Sequence, residues 1–124
     1  MSNQLMTKQF TADAAIAAYR IVKLGATDDV VAQGAAATDA LIGVVEHLTT
    51  AIGERCDVTM SGIAEVTLGG TVVRGGPLTS DATGRAVAAA PAAGSNNRLI
   101  GFALQSGIVG DVIPVQIAQG SLQG

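Results

Sequence analysis

Apolar and polar residues alternate strictly along residues 58–68. One side of this stretch carries Val58, Met60, Gly62, Ala64, Val66 and Leu68. A period of two is typical of a β-strand with one face packed and the other in contact with water. The pattern predicts a long strand here, around which the rest of the chain is organised.

Glycine-rich turns follow this strand. Gly69-Gly70 precedes a second predicted strand over residues 71–74, and Gly75-Gly76-Pro77 interrupts that strand. A polar turn at residues 81–84 then leads into Arg85-Ala86-Val87. Short strands joined by such turns indicate a β-meander.

The first part of the chain has the same character. Residues 19–24 alternate, which predicts a strand, and the polar turn at residues 27–29 leads into a return strand. A further strand is predicted over residues 40–48. Short helical turns are expected at residues 12–18 and 34–38, which are rich in alanine.

Two parts of the sequence echo each other. The matching segments are Leu41-Ile42-Gly43 with Leu99-Ile100-Gly101, Gly53-Glu54 with Gly110-Asp111, and Val58-Thr59-Met60 with Val115-Gln116-Ile117. A duplicated hairpin explains this echo, and so does chance similarity between β-strands of simple composition. Both interpretations predict the same strand pairs, residues 40–48 with 58–68 and residues 99–104 with 112–118.

These elements predict an all-β domain, a small β-barrel or β-sandwich of short strands with glycine-rich turns. Pro114 lies inside the last predicted strand, which indicates an edge strand or a bulge because proline has no N–H to donate. The residues expected to point inward are Val22, Leu24, Ile42, Val44, Val58, Met60, Val66, Leu68, Val72, Ile100, Phe102, Val115 and Ile117.

Both ends of the chain are polar. Residues 1–11 are expected to form an extended N-terminal arm that is disordered until it docks on another protein, because isolated apolar residues do not offset the entropy cost of ordering. The single β-domain is predicted over residues 12–118, and residues 119–124 are expected to be a frayed polar tail. The candidate interface residues, all in the arm, are Leu5, Met6 and Phe10.

Composition adds a tendency to assemble. Hydrophobic residues make up 48% of the 124 residues but aromatic residues only 2%, so the core is built from small aliphatic side chains. Such side chains each bury little apolar area, and the sixteen glycines raise the entropy cost of folding. We therefore expect the chain to gain stability from neighbouring subunits.

Charge and the distribution of apolar residues argue against two classes of partner, nucleic acid and membrane. The net charge is −3, the seven basic residues are scattered without a basic run, and almost no aromatic residues are available for base stacking, so nucleic acid is not expected as a direct partner. The first ten residues contain no apolar stretch typical of a secretory signal, and no apolar segment is long enough to span a bilayer. The expectation is a soluble protein made in a cytoplasm.

Candidate chemistry is sparse. His47 is the single histidine, so no histidine pair for a metal and no complete Ser-His relay is expected. Cys56, the single cysteine, is interpreted as a small apolar residue at a strand start, and Asp28-Asp29 as turn residues. The Gly75-Gly76 region lacks the Gly-Lys-Ser/Thr ending of a phosphate-binding loop. We expect no catalytic residues, no cofactor and no metal site.

The order of these segments resembles the small capsid decoration, or cement, proteins of tailed bacteriophages. The similarity lies in the strand Ile21-Val22-Lys23-Leu24, the acidic turn after it and the strand Ile42-Gly43-Val44. It continues through the middle of the chain, where the matching positions are Gly76, Leu78, Asp81, Gly84 and Ala86.

The resemblance implies a structural virion protein that is not an enzyme. Such proteins sit on the outer surface of the capsid, bind the lattice of the major capsid protein and stabilise the head. A homotrimer is the arrangement that the resemblance favours, with a dimer as the alternative. A small-molecule-binding β-barrel, another phage structural component and an enzyme subunit remain as other interpretations.

Overall fold

The computed structural model describes residues 3–46 and 50–124, and the side chains of the first strand from residue 6 onward. The described residues form strands and turns without a helix. The strands are β1 (Asn3–Ala12), β2 (Arg20–Leu24), β3 (Val30–Gln33), β4 (Leu41–Val45), β5 (Arg55–Thr67), β6 (Pro77–Ser80), β7 (Ala86–Ala88), β8 (Asn96–Ala103) and β9 (Val112–Gln123). The all-β prediction is confirmed.

Five strands close into a barrel, which we call the first unit. Their order is β1-β3-β2-β4-β5, and β1 also pairs with β5, which closes the ring. Side chains fill the interior, as in other small barrels. The buried residues inside it are Phe10, Ala12, Ile16, Val22, Val31, Val45, Cys56 and Val58.

The remaining strands extend from β5 in the order β9-β8-β6-β7. A parallel bridge between Leu68 and Ala86 brings β7 back to the end of β5, so the second half of β5 and β6–β9 form a second unit. In the first unit, β1 and β3 make the equivalent parallel contact through Ala12 and Val31. The long alternating strand is thus shared by both units.

The second unit repeats the pairings of the first. The equivalent pairs are Val22–Gly43 and Leu78–Gly101, Ile21–Val44 and Pro77–Phe102, and Thr11–Arg55 and Thr67–Val112. The turns match as well: Gly53 and Gly110 have φ values of 84° and 90°. The acidic residue after each glycine, Glu54 or Asp111, accepts a hydrogen bond from the backbone N–H three residues earlier. The structure therefore supports the duplication, and it extends beyond one hairpin.

Gly43 and Gly101 show why the echo includes a glycine. A Cβ on Gly43 would overlap the carbonyl oxygen of Thr59, and a Cβ on Gly101 would overlap that of Gln116. At both positions the next strand of the hairpin passes too close for a side chain. Backbone contacts of this kind cannot be relieved by a rotamer change.

Replacing Gly101 by alanine is therefore expected to destabilise the fold by about 1–3 kcal/mol, the usual cost of inserting a group where there is no room. The matched control is Gly120→Ala, because a Cβ on Gly120 meets nothing within 4 Å. Urea denaturation followed by circular dichroism measures both. Equal midpoints for the two variants would contradict the proposed close approach of β8 and β9.

Consecutive apolar residues occur in strands whose two faces are both buried, because successive side chains point to opposite faces. Ile21 and Val22 are adjacent on β2, yet Val22 faces into the first barrel and Ile21 belongs to the second core cluster. Val44 and Val45 on β4 divide in the same way. Strands β2 and β4 therefore lie between two cores, and the units are packed together through them.

Three predicted segments differ from the structure. Residues 71–74 do not form a strand; Val72 makes one antiparallel bridge to Gly107, and the strand begins instead at Pro77. The helical turn expected at residues 12–18 is replaced by a bridge between Ile16 and Thr50, whose N–H groups and carbonyls bond reciprocally at 2.8 Å. Residues 34–38 likewise form a loop and turn. Tertiary pairing overrides the helix propensity of alanine here.

The two termini are also part of the sheet. The segment expected as a separate arm is strand β1, which pairs with β5 from Asn3 to Thr11. The segment expected as a frayed tail continues β9 to Gln123, opposite Asn96 of β8. Backbone pairing, which polar side chains do not oppose, holds both segments.

Pro114 lies in β9, which is an interior strand with β5 on one side and β8 on the other. The edge alternative is therefore wrong, whereas the alternative of a bulge agrees with the register shift of β9 against β8, where Leu99 pairs with Gly120 and Gly101 with Ile117. The Pro114 carbonyl accepts a hydrogen bond of 3.1 Å from the Leu104 N–H, one residue beyond the end of β8. The proline thus occupies the place where pairing with β8 ends, so the missing N–H interrupts no ladder.

Most of the predicted core is buried, with Ile42 and Met60 partly buried at the edge of the first cluster. Leu24 and Phe102 are the corrections: 52% of Leu24 and 38% of Phe102 is exposed. Leu24 ends β2 beside an exposed turn. Phe102 lies between Gly101 and Ala103, which are buried, and its ring is on the outer face.

Candidate interaction surface

The candidate interface residues on β1 do not share a surface. Phe10 is 6% exposed and packs in the first core, with the Lys8 ammonium nitrogen 4.3 Å from the centre of its ring. Met6 is 56% exposed. The backbone of Leu5 lies in β1, and its side chain is outside the described part. Of the three residues, the structure thus presents Met6 at the surface and turns Phe10 inward.

The edge of β1 has an incomplete set of neighbours. One side of the strand pairs with β5 along its length, whereas the pairs recorded on the other side are Thr11 with Val30 and Ala12 with Val31. An ion pair of 3.3 Å between Lys8 and Asp29 crosses the same region. Both side chains are largely exposed, so this pair contributes little to stability.

A second apolar surface lies on the second unit and was missed by the sequence analysis. It is the outer face of β6, β8 and β9, which we call the outer face of the second unit. The register places Pro77 opposite Phe102 on this face. Leu104 and Val112 are exposed beside them, at 41% and 43%. The echo aligns Phe102 with Val44, which is also expected to point inward, so the sequence alone did not mark this surface.

The family-like motif residues are explained by packing and by one turn. Leu78 and Ala86 are fully buried, and Gly84 has a φ of 76°. Asp81 organises the turn between β6 and β7: its carboxylate accepts hydrogen bonds from the N–H groups of Thr83 and Arg85, both at 2.9 Å, and from the Arg85 guanidinium at 3.1 Å. These residues serve the fold.

The pKa of Asp81 follows from those contacts. Burial raises it, but the hydrogen bonds from Thr83 and Arg85 and the charge of Arg85 together hold the pKa below its ordinary value. A carboxyl with a lower pKa in the folded chain stabilises the fold above the unfolded value, about pH 4, and loses this contribution as the pH falls through the folded value.

Asp81→Ala is therefore expected to lower the free energy of unfolding at pH 7 by about 1–3 kcal/mol, the cost of removing hydrogen bonds to a charged group. Asp28→Ala, in the exposed turn of the first unit, is the control and should change it by about 0.5 kcal/mol or less. Urea titrations at pH 7 and pH 3 make the test. A difference between Asp81→Ala and the unchanged chain that stays constant down to pH 3 would show that the charge is irrelevant.

The remaining candidates for chemistry have structural explanations or lie outside the described ranges. Cys56 is buried in the first core, and burial, with a smaller contribution from Asp57, raises the pKa of its thiol. This agrees with the interpretation of Cys56 as a small apolar residue. His47 lies outside the described residues. Within the described residues, no cluster of His, Cys, Asp and Glu has the makings of a metal site.

Depressions at the surface are open and mixed in character. One, of about 390 Å³, is lined by Leu41, Arg98, Gln119, Gly120 and Ser121. Nearby, the Gln119 amide donates hydrogen bonds to the carbonyls of Ile42 and Met60 at 2.6 and 2.7 Å, joining β9 to β4 and β5. Small-molecule sites are usually lined by apolar and aromatic side chains, and this lining is mainly polar.

In residues 3–46 and 50–124 there is no helix of the length and apolarity needed to cross a bilayer.

Comparison with known proteins identifies the class. The phage cement protein family matches residues 1–117, and the chain belongs to this family. It is therefore a structural protein that decorates the phage capsid. No match was found among curated proteins.

A solved structure shows the same fold. It is described as the crystal structure of the head fiber gp8.5 N base in bacteriophage phi29. The two share 21% sequence identity with a TM-score of 0.68, and the alignment covers 96% of this chain and 98% of the other. The overall fold of this chain is thus found in an experimentally determined phage structure.

Proposed function

We propose that the protein binds the outer surface of the major capsid protein lattice and stabilises the head by joining neighbouring subunits. The observation that carries this proposal is membership of the cement protein family over nearly the whole chain. The similar solved chain is described as the base of a head fiber, which fits a body seated on the head. The protein acts by binding, without catalysis, and needs neither nucleic acid nor membrane.

The fold supplies surfaces suited to this role. Met6 is exposed on β1, and one side of that strand is paired at Thr11 and Ala12. A strand of a capsid subunit added along this side would gain main-chain hydrogen bonds, while Leu5 and Met6 fill shallow pockets. Phe10 contributes from inside the barrel by fixing the position of the strand.

The functional unit is proposed to be a homotrimer. The chain has few aromatic anchors, and several large apolar side chains are exposed, so association between copies would bury surface that a single copy leaves open. Many copies on one shell also make attachment collective, so that modest affinity per contact is sufficient.

Size-exclusion chromatography with purified empty capsids tests the proposal. The protein is expected to co-elute with shells and to raise the temperature at which they break open. Met6→Glu should weaken co-elution, with Ile52→Glu, on an exposed turn of the first unit, as the control. Elution at the position of the free protein, with shell stability unchanged, would contradict capsid binding.

A further inference from the structure

The duplication allows the two units to be compared face by face. In the first unit, Ile21 of β2 and Val44 of β4 are cross-strand partners on the outside of the barrel. Both have no exposed surface, because they belong to one core cluster with Leu78, Ile100 and other buried residues of the second unit. The second unit therefore covers this face of the first.

The equivalent pair in the second unit is open. Pro77 of β6 and Phe102 of β8 are partners in the same register, and 38% of Phe102 is exposed. Their neighbours Leu78 and Ala103 point into the second unit and are buried. The outer face of the second unit is thus uncovered, although the equivalent face of the first unit is buried against the second unit.

This open face is more apolar than its fold requires. Val112 occupies the place of Arg55, as the pairs with Thr67 and Thr11 show. Pro114 likewise occupies the place of Asp57, opposite Glu65 and Gln9. Two charged positions of the first unit are apolar in the second, although the strands pair in the same way.

A matching surface is exposed on the first unit. Within the chain, the turn between β6 and β7 contacts the outer face of the first unit: the Gly84 carbonyl accepts a hydrogen bond of 2.8 Å from the Ile21 N–H, and the Thr83 carbonyl one of 3.3 Å from Arg20. Ser80, just before that turn, is 2% exposed and faces Gly34.

The equivalent turn of the first unit joins β2 and β3, at residues 27–29. Its residues are exposed, and Leu24, in the place of Ser80, is 52% exposed. Leu24 is thus exposed, whereas the equivalent residue of the second unit, Ser80, is buried. Leu24 and Phe102 are the two residues whose exposure contradicted the sequence-based core, and one contact accounts for both.

We infer that the outer face of the second unit is covered by the β2–β3 turn of a second copy of this chain, with Leu24 of one copy against the Phe102 face of the next. This contact between two copies has the same geometry as the packing of the second unit on the first unit within one chain. It is less polar, because Pro77 has no N–H to match the Ile21 bond to Gly84. Because the two surfaces differ, the association is head-to-tail and closes into a ring or continues as a chain.

The test uses two variants of the full chain. Phe102→Glu removes one surface and Leu24→Glu the other, and each is expected to weaken self-association by on the order of 30-fold or more, as loss of a central apolar anchor does. In sedimentation velocity each variant alone should run as a monomer. An equimolar mixture should form dimers and stop there, because each pair then has one intact contact. Ile52→Glu, also at an exposed apolar position, should assemble like the unchanged chain.

Three outcomes would overturn the inference: an unchanged chain that stays monomeric, a variant that assembles normally, or a mixture that remains monomeric. Circular dichroism checks that the variants are folded. If either glutamate variant is unfolded, Leu24→Cys and Phe102→Cys replace them, and oxidation of their mixture should give a crosslinked dimer across this contact. Absence of that crosslink contradicts the inference equally.

This inference deepens the self-association part of the proposed function. Its test requires purified protein alone, so failure here leaves capsid binding untouched. Conversely, a chain that assembles through these surfaces and does not bind shells would contradict the capsid proposal and leave the contact between copies intact.

Discussion

Removal of residues 1–11 is expected to unfold the first unit. The deletion takes away nearly all of β1, which closes the barrel by pairing with β5 and β3, and with it Phe10 from the core. We expect a loss on the order of 5 kcal/mol, comparable with the whole stability of a small domain. The shortened chain should show a melting transition that is lowered by tens of degrees or absent.

Removal of residues 1–4 is the matched control. It ends before the register shifts between Gln4 and Thr7, and it leaves the pairs from Thr7 to Thr11 in place. The melting curve of this shorter deletion should stay close to that of the full chain. An unchanged melting curve after removal of residues 1–11 would contradict the structural role of β1 and restore the separate docking arm.

The two phenylalanines of the chain are expected to differ strongly in how much their replacement by alanine costs in stability. Phe10→Ala is expected to lower the free energy of unfolding by about 3–5 kcal/mol, because it empties a buried site in a core of small side chains. Phe102→Ala should cost about 1 kcal/mol or less in the monomer, because much of its ring is already exposed. Urea denaturation at low protein concentration, where copies are separate, measures both.

The order of these two costs is the decisive result. A larger cost for Phe102→Ala would mean that β8 has the register expected from its sequence, with the ring inside. A cost that grows with protein concentration for Phe102 but not for Phe10 would instead support burial of Phe102 between copies.

Alternation predicted well where a strand has one buried face. The strand over residues 58–68 is β5 with its limits moved by a few residues, and the inward positions Val58, Val66 and Leu68 are buried. Strands were also found at residues 99–104 and 112–118 and, within the described ranges, at residues 19–24 and 40–48, although the last two lie between two cores. The period of two in apolar residues is sufficient to predict a strand when one of its faces meets water.

Prediction failed where pairing between distant residues decides the outcome. Phe102 is exposed between the buried residues Gly101 and Ala103, and no local signal marks its orientation. β1 has an irregular pattern because its register against β5 shifts twice. The alanines near Ile16 favour a helix locally, yet the bridge to Thr50 holds them extended.

The resemblance identified the class of protein, whereas the candidate interface of Leu5, Met6 and Phe10 stays a prediction. Family-like residues such as Leu78 and Asp81 identified the class correctly, although they serve packing and a turn. The candidate interface was assigned to the N-terminal residues because their apolar side chains had no evident core to join. The exposed pair Leu24 and Phe102 became visible after the two units had been compared in three dimensions.

The central claim is that the protein sits on the outside of the capsid in contact with the major capsid protein. A cryo-electron microscopy difference map between heads with and without the protein tests it most directly. We expect density for the two-unit body on the outer surface, at regular lattice positions and touching neighbouring capsid subunits. Density confined to the inside of the shell or to the tail, or no difference between the two maps, would contradict it.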